Sequence, residues 1–184
     1  SGDPKLVLER LQDLLSQVVA AGVREVRGDI VLDRSVFEVR ERSEPFDDEP
    51  LRPYTVSPDG LLLNFKAVIY KFTPDPASGQ VQVRFEPPLA GLAAPTQLPA
   101  SNAPCNDWRS QLKADFSQPL HVRFAGSYPV RCGDREWPVA YPDAEQYAPR
   151  VMQAMWLAAG GHLSGQVRYG LRPASARLLL EAPS

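Results

Sequence analysis

At 184 residues, with 43% hydrophobic and 23% charged side chains, the chain has the length of one ordinary domain or two small ones and the composition of a soluble globular protein. No apolar run approaches the roughly 20 residues of a bilayer-spanning helix, which excludes an embedded segment of that kind. Twenty Lys+Arg against 22 Asp+Glu leave a formal charge of -2, and the basic residues form no stripe, so nucleic acid is not expected as a partner.

The opening SGDPKL carries no basic-apolar targeting segment and enters an amphipathic helix almost at once, the texture expected of a region cut from a longer protein. Asp3 and Pro4 read as N-cap and first helical residue. Leu8, Leu11, Leu15 and Val18 then recur at helical spacing, with Val7 and Leu14 widening the stripe, and Gly22 ends the helix. VREVRGDIVLD follows as a strand with a bend or bulge at Gly28 and with Ile30 and Leu32 facing one way. Residues 40–53, RERSEPFDDEPLRP, are charged and broken by proline. Glu44, Asp47, Asp48 and Glu49 lack the alternating ligand spacing and turn glycine of a calcium loop, so a solvated loop is expected there.

Over residues 61–139 helical periodicity vanishes, and short strands separated by proline replace it: LLLNFKAVIYKF, GQVQVRFEPP, SQLKADF and LHVRFAGSY. A second helix then places Val151, Met155 and Ala158 on one face, stops at Gly160-Gly161 and gives way to a strand after Ser164-Gly165. AAGVREVRGDIVL and AAGGHLSGQVRY share one plan: helix, Ala-Ala-Gly, link, glycine, strand. The expected fold is mixed α+β. Residues 1–60 and 140–184 build an α/β domain from two helix-strand units, and residues 61–139 form a small all-β domain inserted between them.

Cys105 and Cys132 lack C-x-x-C spacing, which leaves one disulfide or two buried thiols. The disulfide is favoured and would imply an oxidising compartment. A metal centre from these cysteines with His121 and His162 does not match the spacing of a zinc site.

Ser110 and Lys113 have the Ser-x-x-Lys spacing of active-site serine acyl-transferases, in which a helix puts both residues on one face. Here Leu112, Ala114 and Phe116 alternate with Gln111, Lys113 and Asp115. That is strand periodicity, and it would turn Lys113 away from Ser110. His121 sits opposite the apolar Leu120, Val122 and Phe124, while His162 follows a helix stop, so neither completes a Ser-His-Asp arrangement. Trp156 falls on the helix stripe as core. Trp108 and Trp137 are expected to pack around the cysteines, with a carbohydrate or peptide groove as the alternative.

The segments SGDPKL, AAGVREVRGDIVLDRSVFE, YTVSPDGLLLNFKAV, CNDW, GSYPVRCGDREWPVA and LAAGGHLSGQVRYG, in that order, resemble the middle of the class C low-molecular-mass penicillin-binding proteins, the serine-type D-alanyl-D-alanine carboxypeptidases/endopeptidases. The resemblance covers essentially the whole chain. It implies a parent whose transpeptidase-like catalytic domain carries Ser-x-x-Lys early and Ser-x-Asn and Lys-Thr-Gly much later. Two non-catalytic domains are inserted between the first two motifs, and they correspond here to residues 1–60 with 140–184 and to residues 61–139. RPASARLLLEAPS looks like the strand leading back to the catalytic domain. Neither Ser-x-Asn nor Lys-Thr-Gly occurs in the 184 residues.

The resemblance therefore implies no catalytic, cofactor-binding or metal residue in this region, and no cofactor. It also implies a periplasmic location in a Gram-negative-type envelope, peptidoglycan as partner through the parent, and a role in substrate access, orientation or self-association, including homo-oligomer formation. The rival expectation is a stand-alone envelope module that binds a glycan or a protein partner.

Overall fold

Strand pairing joins the two ends of the chain. The computed structural model describes residues 6–36 and 59–182. Within these, α1 (Leu8–Ala20) leads to β1 (Glu25–Val26) and β2 (Ile30–Leu32), and α3 (Ala144–Ala158) leads to β10 (His162–Leu163) and β11 (Val167–Tyr169). β1 pairs with β10 and β2 with β11, both in parallel and at one constant offset, Glu25 opposite His162 and Ile30 opposite Val167. The two similar sequence units are therefore neighbours in space. The bend expected at Gly28 separates β1 from β2, and the same break recurs between β10 and β11.

α1 begins later than the expected start. Val7 is its N-cap, with extended backbone and no side-chain cap, so Leu6 and Val7 precede the helix; Asp3 and Pro4 lie outside the described residues. Leu8, Leu11 and Leu15 are buried as the stripe requires. α3 starts earlier than its apolar pattern suggests, because the Asp143 carboxylate accepts the Gln146 N–H and fixes the first turn. Its buried residues are Tyr147, Ala148, Pro149, Val151, Met155 and Trp156. Ala158, expected on one face with Val151 and Met155, is exposed in the last turn. The Trp156 indole donates to the His162 carbonyl at 3.1 Å and so ties the helix to β10. Gly161 lies beneath that ring, where a Cβ would come within 2.1 Å of it.

Between the paired ends runs a five-stranded sheet in the order β8-β5-β4-β3-β9. Its strands are β3 (Ala67–Asp75), β4 (Gln80–Glu86), β5 (Gln97–Ser101), β8 (Tyr128–Pro129) and β9 (Arg135–Ala140). All neighbours are antiparallel except β5 and β8. The period of two in β3 buries Val68, Tyr70 and Phe72 and turns Ile69, Lys71 and Thr73 to the other face. There Lys71 lies 2.6 Å from Glu86 and 3.7 Å from Glu136. The buried face is covered by α2 (Trp108–Leu112) and the hairpin of β6 (Ala114–Gln118) and β7 (His121–Phe124). One apolar cluster continues from Leu8, Leu11 and Leu15 of α1 and Val151, Met155 and Trp156 of α3 into the sheet at Val68, Tyr70, Phe72, Val81 and Val139. The fold is a mixed α+β arrangement, as expected.

The paired ends come close together at two glycines. A Cβ on Gly165 would lie 2.4 Å from the Gly28 carbonyl oxygen and 2.6 Å from Asp29 Oδ1, whereas a Cβ on Gly28 would meet nothing within 4 Å. Asp29 completes the junction by accepting from the Gln166 N–H at 3.0 Å and from Arg168 Nε at 2.6 Å. Gly165→Ala is therefore expected to destabilise the fold by about 1–3 kcal/mol through overpacking, while Gly28→Ala leaves it within about 0.5 kcal/mol. Urea unfolding of the two variants side by side checks the asymmetry.

Candidate functional site

The Ser-x-x-Lys segment departs from the strand expected of it. Asp107 caps α2 by accepting the Ser110 N–H at 3.3 Å, so Ser110 is helical, and β6 begins only at Ala114. The alternation of Leu112 and Phe116 that suggested a strand arises instead from a buried last helical residue followed by a buried strand residue. Lys113 closes the helix in the left-handed region, at φ 47°, and is exposed. The Ser110 hydroxyl donates to Asp107 Oδ2, whereas Lys113 is engaged through its backbone, its N–H donating to the Ser110 carbonyl at 3.2 Å and its carbonyl accepting from the Ala125 N–H at 3.3 Å. The hydrogen bonds from the Ser110 side chain and backbone hold the Asp107 carboxyl below its ordinary pKa, which makes it a weak base toward that hydroxyl.

His121 and Arg123 face outward from β7 while Val122 and Phe124 are buried. His162 is exposed as the first residue of β10, where its backbone is engaged: its N–H donates to the Arg24 carbonyl at 2.7 Å. Neither histidine is brought to Ser110 by any contact described. No group of three or more His, Cys, Asp or Glu among the described residues is placed to hold a metal ion. Glu44, Asp47, Asp48 and Glu49 lie outside the described residues.

Cys105 and Cys132 form a disulfide with a Cα–Cα distance of 5.1 Å across 27 residues. The enclosed segment contains α2, β6, β7 and β8, so the bridge fastens the cover of the sheet to its edge. Beside it Trp108 packs edge-to-face on Trp137 at 5.9 Å and on Tyr128 at 5.6 Å, and Phe72 stacks on Tyr128 at 5.4 Å. Trp137 meets Phe116 edge-on at 5.3 Å. Both tryptophans are half-buried rim members of this cluster, with the Arg109 guanidinium 5.4 Å from each ring. Their ring contacts are to one another and to core aromatics, as packing requires. Reducing the bridge is expected to cost about 3–4 kcal/mol by the chain-entropy relation for a loop of this length. Denaturant midpoints with and without a reductant give that difference.

Sequence reasoning missed the densest charge arrangement, which joins the paired ends to the start of the sheet. Asp59 and Lys66 form a buried ion pair, Nζ to Oδ2 2.7 Å, with side chains 1% and 5% exposed. Arg34, just past β2, reaches Asp59 at 3.4 Å and forks onto Glu145 of α3 at 3.0 and 2.8 Å. Its guanidinium also lies over the Tyr169 ring of β11, 4.2 Å from the centroid. Burial pushes the Asp59 pKa up, but hydrogen bonds from Lys66 and the Leu61 N–H and the charges of Lys66 and Arg34 outweigh it, so the carboxyl titrates below its ordinary value. The available signal was a lone lysine in the apolar run LLLNFKAVIY, since a lysine there must either interrupt burial or carry its counter-ion inside.

The ion pair anchors a strained turn. Asn64, Phe65 and Lys66 all have positive φ, at 43°, 52° and 49°. Consecutive left-handed residues other than glycine cost roughly 1–2 kcal/mol each. The turn is held by Asn64 N–H to the Leu6 carbonyl at 3.1 Å, Lys66 N–H to Leu63 at 2.9 Å, and Tyr141 N–H to the Lys66 carbonyl at 2.9 Å. The Tyr147 hydroxyl fixes the next residue by donating to the Ala67 carbonyl at 2.7 Å. Phe65 is left at the tip, 57% exposed.

The whole chain, residues 1–184, matches the model of the D-Ala-D-Ala carboxypeptidase 3 (S13) family. The chain belongs to this family. Its fold resembles that of penicillin-binding protein 4 (dacB) from Haemophilus influenzae, with a TM-score of 0.62 and 18% identity over 96% of this chain and 39% of that one. The complex of that protein with a novel β-lactam matches at a TM-score of 0.52, also at 18% identity, over 96% and 36%. The chain thus spans about two-fifths of the length of these structures, and at this identity the likeness concerns the fold. No curated protein sequence matches it. Membership makes it a protein related to the D-Ala-D-Ala carboxypeptidases of the bacterial cell wall, and no helix among its described residues is long and apolar enough to cross a membrane.

Because the Asp59 pKa is lowered on folding, its contribution is complete above the unfolded carboxylate value near pH 4 and is lost as pH falls through the folded value. Asp59→Asn leaves Lys66 buried without a counter-charge and is expected to destabilise by about 3–5 kcal/mol at pH 7. Below pH 4 the gap between the variant and the wild-type chain should narrow, and stability curves between pH 2 and 7 measure it.

Proposed function

We propose that this chain is the non-catalytic accessory region of a periplasmic D-alanyl-D-alanine carboxypeptidase/endopeptidase that cleaves peptidoglycan stem peptides and cross-links. The observation that carries the reading is the S13 family match over the full 184 residues in a chain that contains neither Ser-x-Asn nor Lys-Thr-Gly and whose single Ser-x-x-Lys ends a five-residue helix. In the parent a serine on a transpeptidase-like domain would attack the peptide carbonyl, pass through an acyl-enzyme and release D-alanine or open a cross-link. Residues 1–60 with 140–184 would form its second domain and residues 61–139 its third. The region would shape substrate access, orient the enzyme toward peptidoglycan or support association into a homo-oligomer, without a cofactor. The Cys105–Cys132 disulfide supports an oxidising compartment such as the periplasm.

Intact mass after incubation with a penicillin tests the assignment. The 184-residue chain is expected to stay unmodified, and a polypeptide that carries it together with the flanking catalytic motifs is expected to gain one covalent adduct at a serine outside residues 1–184. An adduct on Ser110 would make this region catalytic and end the accessory reading. A reading frame without the flanking motifs would instead leave a stand-alone envelope module, to be tested by sedimentation with purified peptidoglycan.

A further inference from the structure

The strained turn presents a hydrophobic side chain that its own fold does not use. Phe65 is 57% exposed, while the residues on either side of it are fully engaged: Asn64 through Leu6 and Ala67, and Lys66 through Asp59, Leu63 and Tyr141. Strain of this kind persists only where the surroundings over-determine it, and it concentrates where the conformation itself is used. A fold needing only a sharp entry into β3 would be served at less cost by Asn or Gly at position 65, since both tolerate the left-handed region. A large exposed aromatic on a rigid tip has the properties of an interface anchor: much apolar area and little side-chain entropy to lose.

We propose that Phe65 is the anchor by which this region docks onto the remaining polypeptide of a full-length S13 protein, inserting into an apolar recess of that polypeptide. The choice of occupant follows from the lengths: the match covers 96% of this chain but only 39% of the related structure's chain, so most of that polypeptide lies outside the matched region and is available to pack beside it. The proposal rests on the accessory reading for the existence of that polypeptide. The turn's rigidity fixes the direction of the anchor, so the docking would set the angle of the region as well as hold it.

Hydrogen exchange over residues 61–70, together with melting curves for the wild type and Phe65→Asn, tests this in the 184-residue chain and in the full polypeptide. The expected result is exchange at the turn at least about tenfold slower in the full polypeptide, with the protection lost in the variant. Phe65→Asn should also raise the melting temperature of the 184-residue chain by about 2–4 °C as strain is relieved, and lower that of the full polypeptide. Equal exchange in the two contexts overturns the proposal, as does an equal rise in both melting temperatures. A fall in the melting temperature of the 184-residue chain would mean that Phe65 serves its own fold. Protection that grows with concentration in the 184-residue chain would assign the anchor to a second copy, and both outcomes overturn the proposal. Penicillin labelling of the same full polypeptide reads the accessory function separately, since a labelled protein with an unprotected turn rejects only the anchor.

Discussion

Two parallel strands cannot be joined by a tight turn, and this constraint organises the molecule. β1 and β2 must wait for β10 and β11, which come 137 residues later at every paired position, and everything between them has to leave the first strand and return beside it in register. The returning chain does so through α3, which covers the same apolar cluster as α1, so each strand unit arrives already joined to the helix that buries it. The five-stranded sheet fits within this detour because its first and last strands, β3 and β9, are adjacent, with Ala67 opposite Ala140. Departure and return are therefore close together. A long excursion between neighbouring points costs little more in closure entropy than a short one, because the cost grows only with the logarithm of the length.

That geometry explains why the paired charges gather where they do. Lys66 stands immediately before β3 and Asp59 earlier on the same approach, Arg34 just after β2, Glu145 in the first turn of α3 and Tyr169 at the end of β11. These are the points at which the chain passes between the paired ends and the sheet. A junction of four chain crossings cannot be filled by strand or helix periodicity alone; two cations paired with two carboxylates link three of them, and Arg34 reaches the fourth through the Tyr169 ring. Such pairs contribute little net stability over an apolar filling but penalise any arrangement that separates the partners. The cluster is accordingly better suited to fixing how the parts meet than to chemistry: its carboxylate is held ionised by its partners.

The sequence was most legible where one period governed a whole element. The stripe of α1, the alternation of β3 and β7 and the helix-Gly-strand echo all rest on repeating patterns, and the echo even located the two units that pair. Legibility failed where a single local contact decided the outcome. Asp107 caps Ser110 and makes a helix of residues whose alternation read as strand. Asp143 starts α3 ahead of its apolar pattern, and Val7 is the N-cap of α1, later than the start expected at Asp3. The ion cluster was invisible because its members are scattered from Arg34 to Glu145 and only the tertiary fold brings them together. Its one trace, Lys66 in an apolar run, gives a buried charge without naming its partner.

The catalytic question turns on the same distinction between pattern and context. Ser-x-x-Lys works as a motif only when a helix continues through both residues, so that the amine faces the hydroxyl across one turn. Here the helix exists, contrary to the strand expectation, yet it ends between them: Leu112 is its last residue and Lys113 leaves in the left-handed region. The hydroxyl is meanwhile committed to the capping Asp107, a carboxylate whose lowered pKa reflects that very bond. A serine in this position keeps its proton as the donor to the carboxylate, whereas a nucleophile must give that proton up to a base. Hydrogen bonding to the helix cap is the role this geometry shows for Ser110, and it follows from Asp107 standing three residues before it.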